Sequence, residues 1–201
     1  MERRRRLRLC FPGRQQTEEG AAISGGVDLT SGQFYAGAWA SNVAFPSDPD
    51  TSAEFDAYAG IRPEFAGWNW DIGAVGYFYA GQPDGADYTY VQAKVAASRA
   101  FGPATIGAAV YYSPDFFGAA EDEATYAEIT GAVSPADKWT ISGALGRQFV
   151  SSDFDYTTWN LGLARQLTDN LTLDVRYHDT GEHDFGPIYE RRAAASLKAV
   201  F

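Results

Sequence analysis

The connections of this chain come in two kinds that strictly alternate, and that alternation limits the fold more than any other feature. Eleven segments of about ten residues alternate apolar and polar positions between clusters of Gly, Pro, Asn, Asp and Ser, the pattern of β-strands. They cover approximately 21–29, 33–44, 53–62, 68–80, 88–101, 104–113, 125–133, 138–150, 156–167, 171–179 and 189–201. One set of connections (30–32, 63–67, 102–103, 134–137, 168–170) is short and nearly neutral. The other (45–52, 81–87, 114–124, 151–155, 180–188) is mostly longer and acidic, with Asp48, Asp50, Asp84, Asp87, Asp115, Glu121, Asp122, Glu123, Asp153, Asp155, Glu182 and Asp184. An up-and-down meander with two different ends requires such alternation. A soluble sheet has no need of it, whereas an outer-membrane barrel has tight periplasmic turns and long external loops.

Length and composition agree. A chain of 201 residues is one domain. No apolar run approaches the length of a membrane helix, which leaves strands as the spanning element. Many segments exceed the usual strand of soluble sheets and match what a tilted crossing needs. Eleven strands is awkward, because two periplasmic termini demand an even number. The missing strand should lie before Gly20, where Arg8 to Arg14 include Pro12, which cannot donate to a ladder. The expectation is an all-β, antiparallel, up-and-down transmembrane barrel of about twelve strands whose first strand is incomplete. Residues 1–13 read as an atypical or truncated N-terminal segment and 14–201 as a single outer-membrane barrel domain. The arginine-rich start resembles the charged part of a secretory signal without the apolar stretch and cleavage site that follow one.

Period two assigns side chains to faces. Leu171, Leu173, Val175 and Tyr177 oppose Thr172, Asp174, Arg176 and His178; Phe55, Ala57, Ala59 and Ile61 oppose Glu54, Asp56, Tyr58 and Arg62. The middle of the apolar face is thin, with Ala36, Ala38, Ala57, Ala59, Ala93 and Ala195. Alanines fill a soluble core poorly, since burial stabilises in proportion to area, but lipid asks for no interlocking. The apolar face is therefore read as outward. Its aromatics gather toward strand ends, giving an expected girdle of Trp39, Trp68, Trp70, Tyr112, Trp139, Trp159, Tyr177 and Phe201. The polar face supplies the expected lumen lining: Glu54, Asp56, Arg62, Asp71, Gln92, Lys94, Glu128, Asp174, Arg176, Arg192 and Lys198. Twelve strands fall between barrels filled by side chains and barrels that leave a channel, so spacing alone does not decide whether the lumen is open.

Other chemistry is weak. His178 and His183, each followed by Asp, could be drawn as a metal site, but a solvated loop fixes no tetrahedral geometry, and no metal or other cofactor is expected. No serine sits in a nucleophile elbow, and the close carboxylates Glu54 and Asp56 read as lumen wall, so no catalytic residues and no enzyme are expected. A net charge of −10 argues against nucleic acid as a partner. Cys10 is alone, which excludes an intrachain disulfide.

Three blocks carry a family resemblance: Gln16 to Leu29, Phe34 to Val43 (FYAGAWASNV) and Val110 to Gly118 (VYYSPDFFG). They resemble the TorF family of proteobacterial porins, over about residues 14–201. In that family an aromatic-rich strand precedes the Gln-Thr block, where this chain has arginines. The resemblance implies a β-barrel in the outer membrane of a Gram-negative bacterium and names no solute. The expected role is a porin passing small hydrophilic solutes or ions by diffusion through a narrow polar lumen. Its expected partners are outer-membrane lipid and, through the last strand ending at Phe201, the barrel-assembly machinery. The alternatives are a closed barrel with a structural or surface-interaction role and a soluble lipocalin-like carrier of an apolar ligand.

Overall fold

The computed structural model describes residues 3–12 (as backbone), 22–45, 48–118, 123–150, 153–186 and 189–201. Its strands are β1 (Arg3–Pro12), β2 (Ser24–Ser31), β3 (Phe34–Asn42), β4 (Ala53–Ile61), β5 (Glu64–Phe65), β6 (Trp68–Ala80), β7 (Tyr90–Phe101), β8 (Ala104–Ser113), β9 (Ala124–Ala136), β10 (Trp139–Phe149), β11 (Tyr156–Thr168), β12 (Leu171–Thr180) and β13 (Arg192–Val200). All eleven segments read from the alternation are present, with shifts of a few residues at their ends. β5 is a two-residue ribbon on the β4–β6 turn, paired only with β6. The other twelve strands form one antiparallel ring. Each pairs with its neighbours in sequence, β4 pairs with β6, and β1 closes the ring against β13. No strand of the wall keeps a free edge.

β1 departs from expectation. The sequence sets residues 1–13 apart from the barrel and leaves the first strand incomplete. Instead β1 runs ten residues. It pairs with β2 from Arg3 to Cys10 and with β13 from Arg8 to Pro12. Pro12 is the last strand residue, where one missing N–H costs little of the ladder. Closure is the physical reason: without β1, the edges of β2 and β13 would be left with unpaired backbone groups.

The two ends differ as their connections do. At one end two-residue turns reverse the chain, helped by left-handed backbone at Gly102 (φ 60) and, without glycine, at Lys138 (φ 65). The other end carries the long loops. Glu121 and Asp122 lie outside the described residues.

Register traces one face around the ring. Asp56 opposes Tyr77, Gly73 opposes Lys94, Lys94 opposes Tyr111, Asn160 opposes His178, and Asp174 opposes Ser196. Side chains on this face hydrogen-bond across an intervening strand, which only the concave side of a closed sheet allows. The opposite face is apolar and exposed: Val27, Leu29, Phe55, Ile72, Val95, Val110, Ile129, Leu145, Leu161 and Val175 circle the wall. A continuous apolar band of this kind is unusual on a soluble monomer. A lipocalin-like carrier needs these side chains inside, so the soluble-carrier alternative falls with the facing.

Candidate functional site

The interior face holds the polar chemistry, and small residues decide how it is arranged. Arg176 on β12 lies flat across Gly162 of β11, where a Cβ would stand 2.6 Å from its guanidinium carbon. From there it donates to Asp174 (3.2 and 3.1 Å), to Asn160, and to the Ser142 hydroxyl on β10 (2.8 Å). Tyr58 on β4 lies over Gly37 of β3, 2.5 Å from where a Cβ would be, and its hydroxyl donates to Asp28 of β2 (2.7 Å). Tyr126 likewise covers Gly146. These long side chains run along the wall and are tied there, not pointed across the lumen.

A second network forms around Asp71, nearer the short turns. Its carboxylate accepts from the Tyr35 hydroxyl (2.7 Å), Arg62 Nε (3.1 Å) and Lys94 Nζ (3.0 Å). The Arg62 guanidinium also lies 3.9 Å from the centre of the Tyr35 ring, a cation–π contact. One carboxylate thus serves two cations, and Arg62 stays half exposed (53%) toward the open end.

The interior is graded along its axis. Ser113, Thr51, Glu54, Tyr79, Gln92, Gln148, Ser41 and Ser24 are all buried, and all lie toward the long loops. Three of those loops bring aromatic rings together there. Phe45, Tyr88 and Phe117 pack on one another and on Tyr79, with centroids 4.5–6.1 Å apart. Asp48 fastens the β3–β4 loop, accepting from the Thr51 hydroxyl and from backbone N–H groups of Asp50 and Thr51. The Thr51 hydrogen bond holds the Asp48 carboxyl below its ordinary range. A second group of rings, Phe154, Phe185, Tyr189 and Tyr156, joins the β10–β11 and β12–β13 loops. Toward the short turns the interior opens into a cavity of about 510 Å³ lined by Ser134, Thr140, Ala164, Gln166 and Thr172 among others.

The expected lumen residues all fall on the interior face by register. Arg62, Asp71 and Lys94 form one network, and Asp174 and Arg176 another. Glu54, Asp56 and Gln92 gather beneath the ring cluster. Glu128 accepts from Tyr126 (3.2 Å). Arg192 stands opposite His178, and Lys198, exposed, opposite Thr172 near the short-turn end.

Of the expected girdle, Tyr112, Trp159 and Tyr177 lie on the outer face toward the long loops, with Trp159 and Tyr177 in ring contact at 5.4 Å. Trp68, Trp70, Trp139 and Phe201 lie on it toward the short turns. Trp39 does not belong to the girdle. It shares the interior face with Tyr35 and Ser41, opposite Gly26 and Asp56, because its neighbours Ala38 and Ala40 take the outward positions. Sequence reading missed the glycine–tyrosine pairs and the interior loop rings, whose partners lie on other strands or loops. His183 pairs with Asp179 (2.8 Å), and no group of three or more metal-ligating residues gathers among the described residues.

Residues 8–200 match the family described as "Bacterial protein of unknown function (Gcw_chp)". The chain belongs to that family. No curated protein matches it. Among solved structures, the KdgM porin aligns with a TM-score of 0.69 at 9% identity, covering 98% of this chain and 99% of that one. The same porin was also solved in complex with disordered oligogalacturonate. The NanC porin aligns at 0.63 with 11% identity and 98% of both chains. An outer membrane channel from Pseudomonas putida F1 aligns at 0.53 with 11% identity, covering 98% and 93%. At such identities the likeness shows the fold alone, the barrel architecture of outer-membrane porins.

Proposed function

We propose that this Gcw_chp protein is a passive channel of the Gram-negative outer membrane, passing small hydrophilic solutes or ions through a narrow polar lumen. The observation that carries the reading is the arrangement of Arg176, Tyr58 and Tyr126, laid along the wall over Gly162, Gly37 and Gly146. A barrel sealed by its own side chains would have them meet across the axis. The exposed apolar band supports lipid as its surroundings, and the porin fold of its structural neighbours fits the same role. The lumen residues expected from the sequence would line the path and the outward aromatics would sit at the two interfaces. The TorF-like blocks agree with a porin. The strand ending at Phe201 would engage the barrel-assembly machinery, and β1 would belong to the same single barrel domain as residues 14–201.

Swelling of proteoliposomes in sugars of graded size tests it. Rapid swelling with small sugars that falls off as size grows is expected, and no swelling with any sugar or salt would contradict it. The rings of Phe45, Tyr79, Tyr88 and Phe117 favour a second reading, a barrel closed at its outer mouth. Trimming the β8–β9 loop through Phe117 separates the two, since a closed barrel would gain swelling only after the trim.

A further inference from the structure

Two neighbouring carboxylates of the interior lack the cation partners that Asp71 and Asp174 have. Asp71 has Arg62 and Lys94, and Asp174 has Arg176. Among the described residues no cation pairs with Glu54 or Asp56. Glu54 is only 5% exposed, and its Oε2 has no hydrogen-bond partner. Asp56 Oδ1 is equally without one. The phenol facing Asp56 across the β4–β6 ladder does not relieve it, because the Tyr77 hydroxyl donates to Gln92 Oε1 (3.3 Å). Leaving charge-bearing oxygens buried and unpaired is costly unless something else comes to them.

The surroundings define what that would be. Trp39 stands opposite Asp56 on one side and Tyr77 on the other, while Tyr79 stands opposite Glu54. Tyr90 stacks on Tyr77 at 4.4 Å. No fixed cation and several aromatic faces surround two acids whose Cα atoms lie about 7 Å apart, two residues along a strand. A bare metal ion would want more oxygen ligands than these. An alkylammonium ion gains both the carboxylate hydrogen bonds and the ring faces.

We propose that Glu54 and Asp56, walled by Trp39, Tyr77, Tyr79 and Tyr90, form a binding subsite for small organic ammonium ions, diamines above all, on the inner side of the outer mouth. The proposal rests on the lumen reading above and names a solute class for it. It sets this chain apart from the porin solved in complex with oligogalacturonate, whose charge is opposite.

Titration calorimetry on the refolded barrel in detergent, with 1,4-diaminobutane as probe, tests the subsite without requiring conduction. Saturable binding is expected, with at least tenfold weakening in the Glu54→Gln/Asp56→Asn double variant and an intermediate loss in Glu54→Gln alone. Each variant is first shown to keep the wild-type shift between unheated and boiled gel mobility. Tyr79→Phe, which keeps the ring, should retain most of the affinity. Binding that is absent, or equal in wild type and double variant, overturns the proposal, as does equal affinity for galacturonate. Binding by a barrel that shows no solute flux would uphold the subsite and refute the channel; flux without binding would do the reverse.

Discussion

At the scale of single residues, the interior is organised by pairs in which a bulky side chain needs a glycine on another strand. Tyr58 rests where a Gly37 side chain would be. Gly37→Ala should therefore lift the ring off the wall, break its hydrogen bond to Asp28 and cost about 1–3 kcal/mol, as overpacking does; a lower temperature for loss of the folded gel band would show it. Single-channel current should fall as well, because the displaced ring enters the lumen. Asp71→Asn acts on charge, leaving Arg62 and Lys94 without their carboxylate and moving ion preference toward anions, which reversal potentials would register. At Asp48 the sign of the pH effect follows from its lowered pKa. The tie to Thr51 contributes above the ordinary carboxyl range and is lost as pH falls through the depressed value. Amide exchange in residues 48–52 should accelerate on strong acidification. The alternation made the facing of Glu54, Asp71 and Arg176 legible, but not their partners, which come from register between distant segments. Trp39 departs from the expected girdle because strand parity, which turns Ala38 and Ala40 outward, sets its face rather than its closeness to a strand end.

At the scale of elements, period two carried nearly everything. The strands from 53 and 104 begin and end within a residue of their reading, since alternation is clean and glycines or prolines bound them. β1 was not legible as a complete strand, because four consecutive arginines hide the alternation and Pro12 looks like a breaker. Only closure requires it. Removing residues 3–12 should leave β2 and β13 as unpaired edges. The truncated chain should lose resistance to SDS before boiling, with unheated and boiled samples migrating alike, while the full chain keeps two distinct mobilities. On β12, Val175 lies mid-strand and faces outward. Val175→Arg should cost about 2–4 kcal/mol and Leu173→Arg, closer to the interface, less. Urea titrations of folding into vesicles would rank them.

At the scale of the whole molecule, the barrel is polarised. Its short-turn end opens into a cavity, and its long-loop end is packed with rings above Glu54 and Asp56, which pair with no cation among the described residues. The acidic loops were visible in the sequence, and so was the difference between the ends. The inward packing of Phe45, Tyr88 and Phe117 was not, because each ring sits in a segment with no periodic pattern. Loop carboxylates should raise cation concentration at the outer mouth, with a reach of about 8 Å at physiological salt. The most direct measurement is the current through single barrels in a planar bilayer under a salt gradient. A channel of this design gives discrete conductance steps with a modest cation preference that fades as salt rises. Absence of steps at every salt and voltage, from protein shown to be folded and inserted, would contradict it.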